Sequence, residues 1–246
     1  MQCGQWDSLV ESVVNSARVA RKIATQKPEK FQDISHNEKM RITTSNSELD
    51  SVLGGGIVLG SLVLLAGDPG IGKSTLVLQT ASEVAKSHKV LYASGEESAG
   101  QVKLRGNRMK DLHMGFDFIS TTDIDEVIAL SQDGGYDLVI VDSIQTMTSQ
   151  ELSGSGGTTS QITNNTNSLV RVAKKSNTAF VIIGHVTKEG NVAGPRLMEH
   201  LVDVVLYLEG ERFGLIKMLR GVKNRFGATN EVRSEEHTSE LQSRGL

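Results

Sequence analysis

The stretch GDPGIGKST, residues 67–75, fits the pattern G-x-x-x-x-G-K-[ST], with Gly67 first and Gly72, Lys73 and Ser74 last. The glycines let the backbone wrap closely around phosphate groups, and the N–H groups of Asp68, Pro69-Gly70, Ile71 and the residues after them line the cradle, apart from proline, which has none. A helix that starts at Lys73 adds the positive end of its dipole. Lys73 brings a point cation to the β- and γ-phosphates, Ser74 a hydroxyl for Mg²⁺, and Thr75 continues the turn. The motif demands a strand before it and a helix after it.

Both are present. SLVLLAG (61–67) is a nearly continuous apolar run, as expected of a strand covered on both faces. KSTLVLQTASEVAKS (73–87) places Leu76, Val77, Thr80, Ala81, Val84 and Ala85 on one helical stripe. The alternation continues along the chain. Strands are expected at KVLYAS (89–94), DFIS (117–120), YDLVIVD (136–142) and AFVIIGH (179–185). Helices are expected at 98–110, with Val102 and Leu104 inward and Lys103, Arg105 and Arg108 solvated, at 123–132 and at 160–176. SGSGGTT (153–159) reads as a flexible loop between strand and helix. DVVLYLEGE (203–211) and FGLIKMLRGVKNRFG (213–227) read as antiparallel neighbours joined by a turn at Arg212. The pattern predicts an α/β fold: a mostly parallel sheet with helices on both faces and an antiparallel C-terminal edge.

A strand before a phosphate loop calls for a second carboxylate on the metal side. Asp142, at the end of YDLVIVD, is the candidate to hold Mg²⁺ through water, the ordinary alternative being a helix-capping aspartate. A hydrolase also needs a group to orient water. SGEES (94–98) ends the strand after the first helix, and strand adjacency offers Glu96 as base, with Glu97 as its partner or substitute. Paired glutamates at a helix start are the competing reading.

Composition bounds the rest. Of 246 residues 38% are apolar and 22% charged, enough for a sizeable core. Net charge is −3, so DNA contact would need a local patch rather than a global field. One cysteine excludes an intramolecular disulfide framework. The longest apolar run, Ile57 to Ala66, is interrupted by Gly60 and Ser61, and no leader pattern opens the chain, so a cytoplasmic protein without membrane contact is expected. Arg233–Ser243 matches the translation of a common sequencing-adapter oligonucleotide, so 233–246 reads as a non-native tail.

The segments LDSVLGGGIVLGSLVLLAGDPGIGKSTLVLQ, SGEES, VDSIQT, GHVTKEGNVAGPRLMEHLVD and KNRFG together resemble the bacterial RadA (Sms) DNA-repair ATPases of the RecA-like superfamily. The likeness runs from Cys3 to about Val232, and KNRFG is its specific part. It implies a RecA-like core at 41–232 that uses ATP and Mg²⁺, preceded at 1–40 by a zinc-finger remnant and linker. It implies a hexameric-ring, DNA-dependent helicase that drives branch migration in repair and homologous recombination, with single-stranded or branched DNA and a recombinase as partners. Members carry a four-cysteine zinc finger and a C-terminal Lon-like domain; here Cys3 matches only the last of those cysteines, so zinc is expected in the full-length protein alone.

The resemblance also gives KNRFG a role. Lys223 and Arg225, two apart on a strand, share a face, with Asn224 and Phe226 on the other; Phe226 packs and Gly227 allows a turn. In the family this motif senses ATP across a subunit interface. A solvated strand edge is the plain alternative. His185 falls near the γ-phosphate sensor position of RecA-like folds, or is a histidine bonded at a strand end. VTKEGNVAGP (186–195) corresponds to a DNA-binding loop, with Lys188, Asn191 and Arg196 as candidates. A RecA-like ring ATPase acting in signalling or assembly without DNA is the other functional class.

Overall fold

The structure is a computed structural model. It describes residues 30, 41–109, 112–185, 195–210 and 217–229, with backbone alone at 195 and 196. The chain divides into two compact units, Met1–Asn37 and Glu38–Leu246, and every described helix and strand belongs to the second. Cys3, Lys188, Asn191, the turn at Arg212 and the tail at 233–246 lie outside the described residues.

In chain order the elements are β1 (Arg41–Ile42), α1 (Ser47–Leu53), β2 (Ile57–Val58), β3 (Leu62–Gly67), α2 (Lys73–Val84), β4 (Val90–Ser94), α3 (Ala99–Gly106), β5 (Asp117–Ser120), α4 (Ile124–Asp133), β6 (Leu138–Asp142), α5 (Thr159–Ser176), β7 (Ala179–His185), α6 (Pro195–Glu199), β8 (Val204–Gly210) and β9 (Lys217–Asn224). β1 and β2 form a small antiparallel pair. The other seven strands form one sheet in the order β5-β4-β6-β7-β3-β8-β9. All its neighbours are parallel except β8 and β9, which supply the antiparallel edge.

Period-two alternation sorts the strand residues between two apolar layers. Val63, Leu65, Tyr92, Ile140, Val181, Ile183 and Leu206 pack with Val77, Leu78 and Ala81 of α2 and Leu49 and Leu53 of α1. Leu62, Leu64, Leu91, Val139, Val141, Phe180, Ile182 and Val205 pack with Val127 of α4 and Ile162, Leu169 and Val172 of α5. Burial on both faces explains why these strands read as unbroken apolar runs. α5 also buries Gln161, whose side-chain amide bonds the backbone of Ser149, Leu152 and Gly154 and so pins the preceding glycine-rich loop.

Three local expectations are corrected. Leu104 points outward, with 63% of its surface exposed. α3 buries Val102 and Gly106, four residues apart on one face, which leaves Leu104 on the opposite side. Arg105 is not solvated either, because its guanidinium meets Glu97 at 2.7 Å. At the sheet edge, β9 ends at Asn224 rather than continuing through Gly227. Its register also slips once: Lys223 faces Val205 and Gly221 faces Leu206, so Val222 is the extra residue of a bulge.

Candidate functional site

Parallel strands deliver their C-terminal ends to one rim, and the site is built there. Gly67 closes β3 beside His185 of β7 on one side and Leu208 of β8 on the other. Its φ of 153° and its closeness to the Leu208 carbonyl, into which a Cβ would run, require glycine. The chain then wraps through Gly70 (φ 79°) to Gly72 (φ 112°), which caps α2. Lys73, 3% exposed, folds its ammonium back onto the loop and donates to the carbonyls of Gly67 (2.8 Å) and Asp68 (3.0 Å). Burial lowers its pKa, and the negative charges of Asp142, Glu96 and Asp68 work against that shift.

Asp142 ends β6, and 2% of it is exposed. Its Oδ2 accepts a 2.7 Å hydrogen bond from the Tyr92 hydroxyl, whose pKa burial and Asp142 push well up. Its Oδ1 is buried without a hydrogen-bond partner among the described residues, as are Gln145 Oε1 and His185 Nδ1 on the same rim. Buried polar atoms left open in this way mark places where a bound group completes the bonding. A buried, unpartnered carboxylate oxygen close enough to act on the charge of Lys73 fits a hydrated divalent cation, with the Ser74 hydroxyl as the second oxygen.

Glu96 reaches this rim by a route that strand adjacency to the phosphate loop does not explain. β4 is not next to β3; β6 and β7 lie between them. Glu96 arrives because β4 pairs with β6, aligning Ser94 with Asp142. Its Oε1 accepts from Ser143 Oγ (2.5 Å) and meets His185 Nε2 at 3.1 Å. The His185 hydrogen bond is the main cause that draws its pKa down to about 2, against burial, with Ser143 and Lys73 helping. Glu97 turns the other way, to Arg105 of α3, and its N–H donates to Ser94 Oγ. The two glutamates therefore have different surroundings.

KNRFG lies at the other end of the sheet. Lys223 and Asn224 pair with Val205 and Val204, the first residues of β8, whereas Lys217 pairs with Gly210 near the phosphate loop. Seven strand steps separate Lys217 from Asn224, about 23 Å. Lys223 donates to the carbonyls of Glu199 (2.7 Å) and Val202 (2.8 Å), and burial, more than the nearby Arg225, lowers its pKa. Arg225 lies beyond the strand and pairs with Asp203 at 3.0 Å, so strand alternation does not relate it to Lys223. Asn224 holds Val52 O and the N–H of Phe226. Phe226 is 38% exposed rather than packed; its carbonyl is what is held, by Arg41. Gly227 lies against Gly54. The Arg196 side chain lies outside the described residues.

A family model described as an AAA domain matches residues 25–191. The chain belongs to the AAA domain family. That places it among P-loop ATPases and agrees with the phosphate loop and Asp142 on the rim. Relatives named DNA repair protein RadA are 46% identical over 99% of this chain in Streptococcus pyogenes serotype M1, 44% over 94% in Bacillus subtilis and 48% over 95% in Streptococcus pneumoniae. The chain spans about half the length of these curated relatives, 52–54% of each. The crystal structure of the RadB recombinase shares the fold, with a TM-score of 0.56 and 22% identity over 75% of this chain and 90% of that one. Among the described residues no helix is long and apolar enough to cross a membrane.

Tyr92, Ser143, Gln145 and Arg105 join the site without a motif that announces them. Ser143 and Gln145 sit in VDSIQT, directly after the candidate metal carboxylate, and that position is their only signal.

Proposed function

We propose that this chain is the ATP-hydrolysing core of a DNA-dependent motor of the RadA type. It works in a homo-oligomeric ring, a hexamer, on single-stranded or branched DNA, beside a recombinase in the bacterial cytoplasm, and drives branch migration during repair and recombination. Its zinc belongs to the full-length protein.

The observation that carries the catalytic reading is Glu96, fixed by Ser143 and His185 beside Asp142 and across from Lys73. The loop from Gly67 to Thr75 holds the triphosphate through backbone N–H groups, and Lys73 exchanges its carbonyl partners for phosphate oxygens. Ser74 and Asp142 would hold Mg²⁺, which would shield phosphate charge when bound. Glu96, a carboxylate kept ionised to about pH 2, accepts a hydrogen bond from the attacking water and aims it. His185 links Glu96 to the end of β7, and Lys188, Asn191 and Arg196, which follow it in the sequence, are the proposed DNA contacts. Lys223 and Arg225 sit too far from their own phosphate loop to serve it, which supports service to a neighbour's nucleotide across a ring interface.

The test is ATP turnover with and without single-stranded DNA. Wild type should turn over faster with DNA, and Lys73→Ala should be inactive in both conditions. Turnover indifferent to DNA would favour the signalling or assembly class, and full turnover by Lys73→Ala would refute the ATPase reading altogether.

A further inference from the structure

We propose that Lys217 is a second phosphate-binding cation of the same cradle, supplied by the antiparallel edge strand of the same chain. The inference rests on the ATPase reading above and adds a residue to it.

Lys217 opens β9 opposite Gly210, two residues past the Leu208 that flanks Gly67. Its ammonium lies 2.9 Å from where a Cβ on Gly72 would stand, and no other described atom lies within 4 Å of that point beyond Gly72's own neighbours. Gly72 caps α2, so the ammonium stands beside the N-terminal end of that helix. An ammonium beside the positive end of a helix is repelled by it, unless an anion sits between them. A triphosphate is that anion.

The other cations of β9 are engaged. Arg220 pairs with Glu209 at 2.5 Å, and Lys223 bonds the carbonyls of Glu199 and Val202. Among the described residues Lys217 has no ion pair or side-chain hydrogen bond, and it is exposed. A solvated edge lysine is the plain alternative. It accounts for the exposure but not for an ammonium placed over the capping glycine of a phosphate loop.

The experiment titrates the full chain with fluorescent ATP and ADP in the presence of Mg²⁺, for wild type, Lys217→Ala and Lys217→Arg, at low and high salt. A charge-assisted contact to phosphate predicts roughly tenfold weaker binding for Lys217→Ala. The loss should shrink at high salt, and Lys217→Arg should bind close to wild type. The melting temperature without nucleotide should be the same for all three chains, since an exposed lysine contributes little to folding. Wild-type affinity in Lys217→Ala overturns the inference, as does an equal loss in Lys217→Arg. A wild type that binds no nucleotide at all sinks the ATPase reading and this inference with it.

Discussion

Glu96 and His185 come from strands that are not neighbours, yet their side chains meet at 3.1 Å across the end of β6. This contact has a pH signature. The carboxyl of Glu96 is depressed from its ordinary value of 4.5 to about 2, first by His185. A depressed carboxylate contributes stability that is fully present above its ordinary value and is lost as pH falls toward its folded value. Wild type should therefore exceed Glu96→Gln in stability by a constant amount above about pH 5, and the gap should close between about pH 4.5 and the lowest pH at which the fold survives. Urea titrations at pH 3, 4 and 6 would read it. A gap that stays flat over that range would show that the carboxyl is not held low. At neutral pH, Glu96→Gln should bind ATP normally and hydrolyse it slowly; loss of binding would make Glu96 structural.

Tyr92 donates to Asp142, the candidate metal carboxylate. Tyr92→Phe keeps the ring stacked on Phe118 but removes the hydroxyl that donates to Asp142 at 2.7 Å. A buried charged acceptor that loses a donor costs about 1–3 kcal/mol. The variant should melt lower and need more Mg²⁺ for half-maximal turnover. An unchanged Mg²⁺ requirement would show that the hydroxyl does not position Asp142.

Gly67→Ala should fold poorly. Its Cβ would run into the carbonyl of Leu208, and β3 and β8 would have to part at the rim. Displacing paired backbone at a φ that alanine rarely adopts costs about 2 kcal/mol or more. Thermal unfolding checks this, and a melting temperature equal to wild type would mean the strands yield without cost.

Lys223 is best tested by mixing. Lys223→Ala keeps an intact phosphate loop and should bind ATP, but should lose DNA-stimulated hydrolysis. Lys73→Ala chains lack a working loop and keep Lys223. Neither should turn over ATP alone. A mixed ring pairs some intact loops with some intact Lys223, and activity should partly return. Mixed rings that form yet stay inactive would leave Lys223 as the tie between β9 and the carbonyls of Glu199 and Val202, and nothing more.

The fold was legible because its signals are local. β7 is Ala179–His185, as its apolar run predicts, and the phosphate loop lies between a strand and a helix as its motif demands. What the sequence did not carry is pairing. Strand order brought Glu96 to Asp142, parted Glu97 from it and set Tyr92 beside the carboxylate, and none of these follows from spacing along the chain. Asp203 is a similar case. It reads as a strand start, yet its carboxylate accepts from Leu62 N–H and from Arg225, tying the first core strand to the last motif.

The bulge at Val222 decides which side of the sheet KNRFG serves. Strands count in twos, and Lys217 and Lys223 are six residues apart, an even number that an unbroken strand would place on one face. With one residue of slippage between them they fall on opposite faces. Lys217 lies toward α2 and the phosphate loop, Lys223 toward α6. Removing Val222 would only close the bulge and leave Lys223 opposite Val205 on its present face, whereas pairing Val222 regularly, with no residue lost, would turn Lys223 about to the face it now avoids. The bulge between Gly221 and Lys223 is thus as much a part of the motif as its letters, and a chain of the same length that paired without it would spell the same word facing the wrong helices.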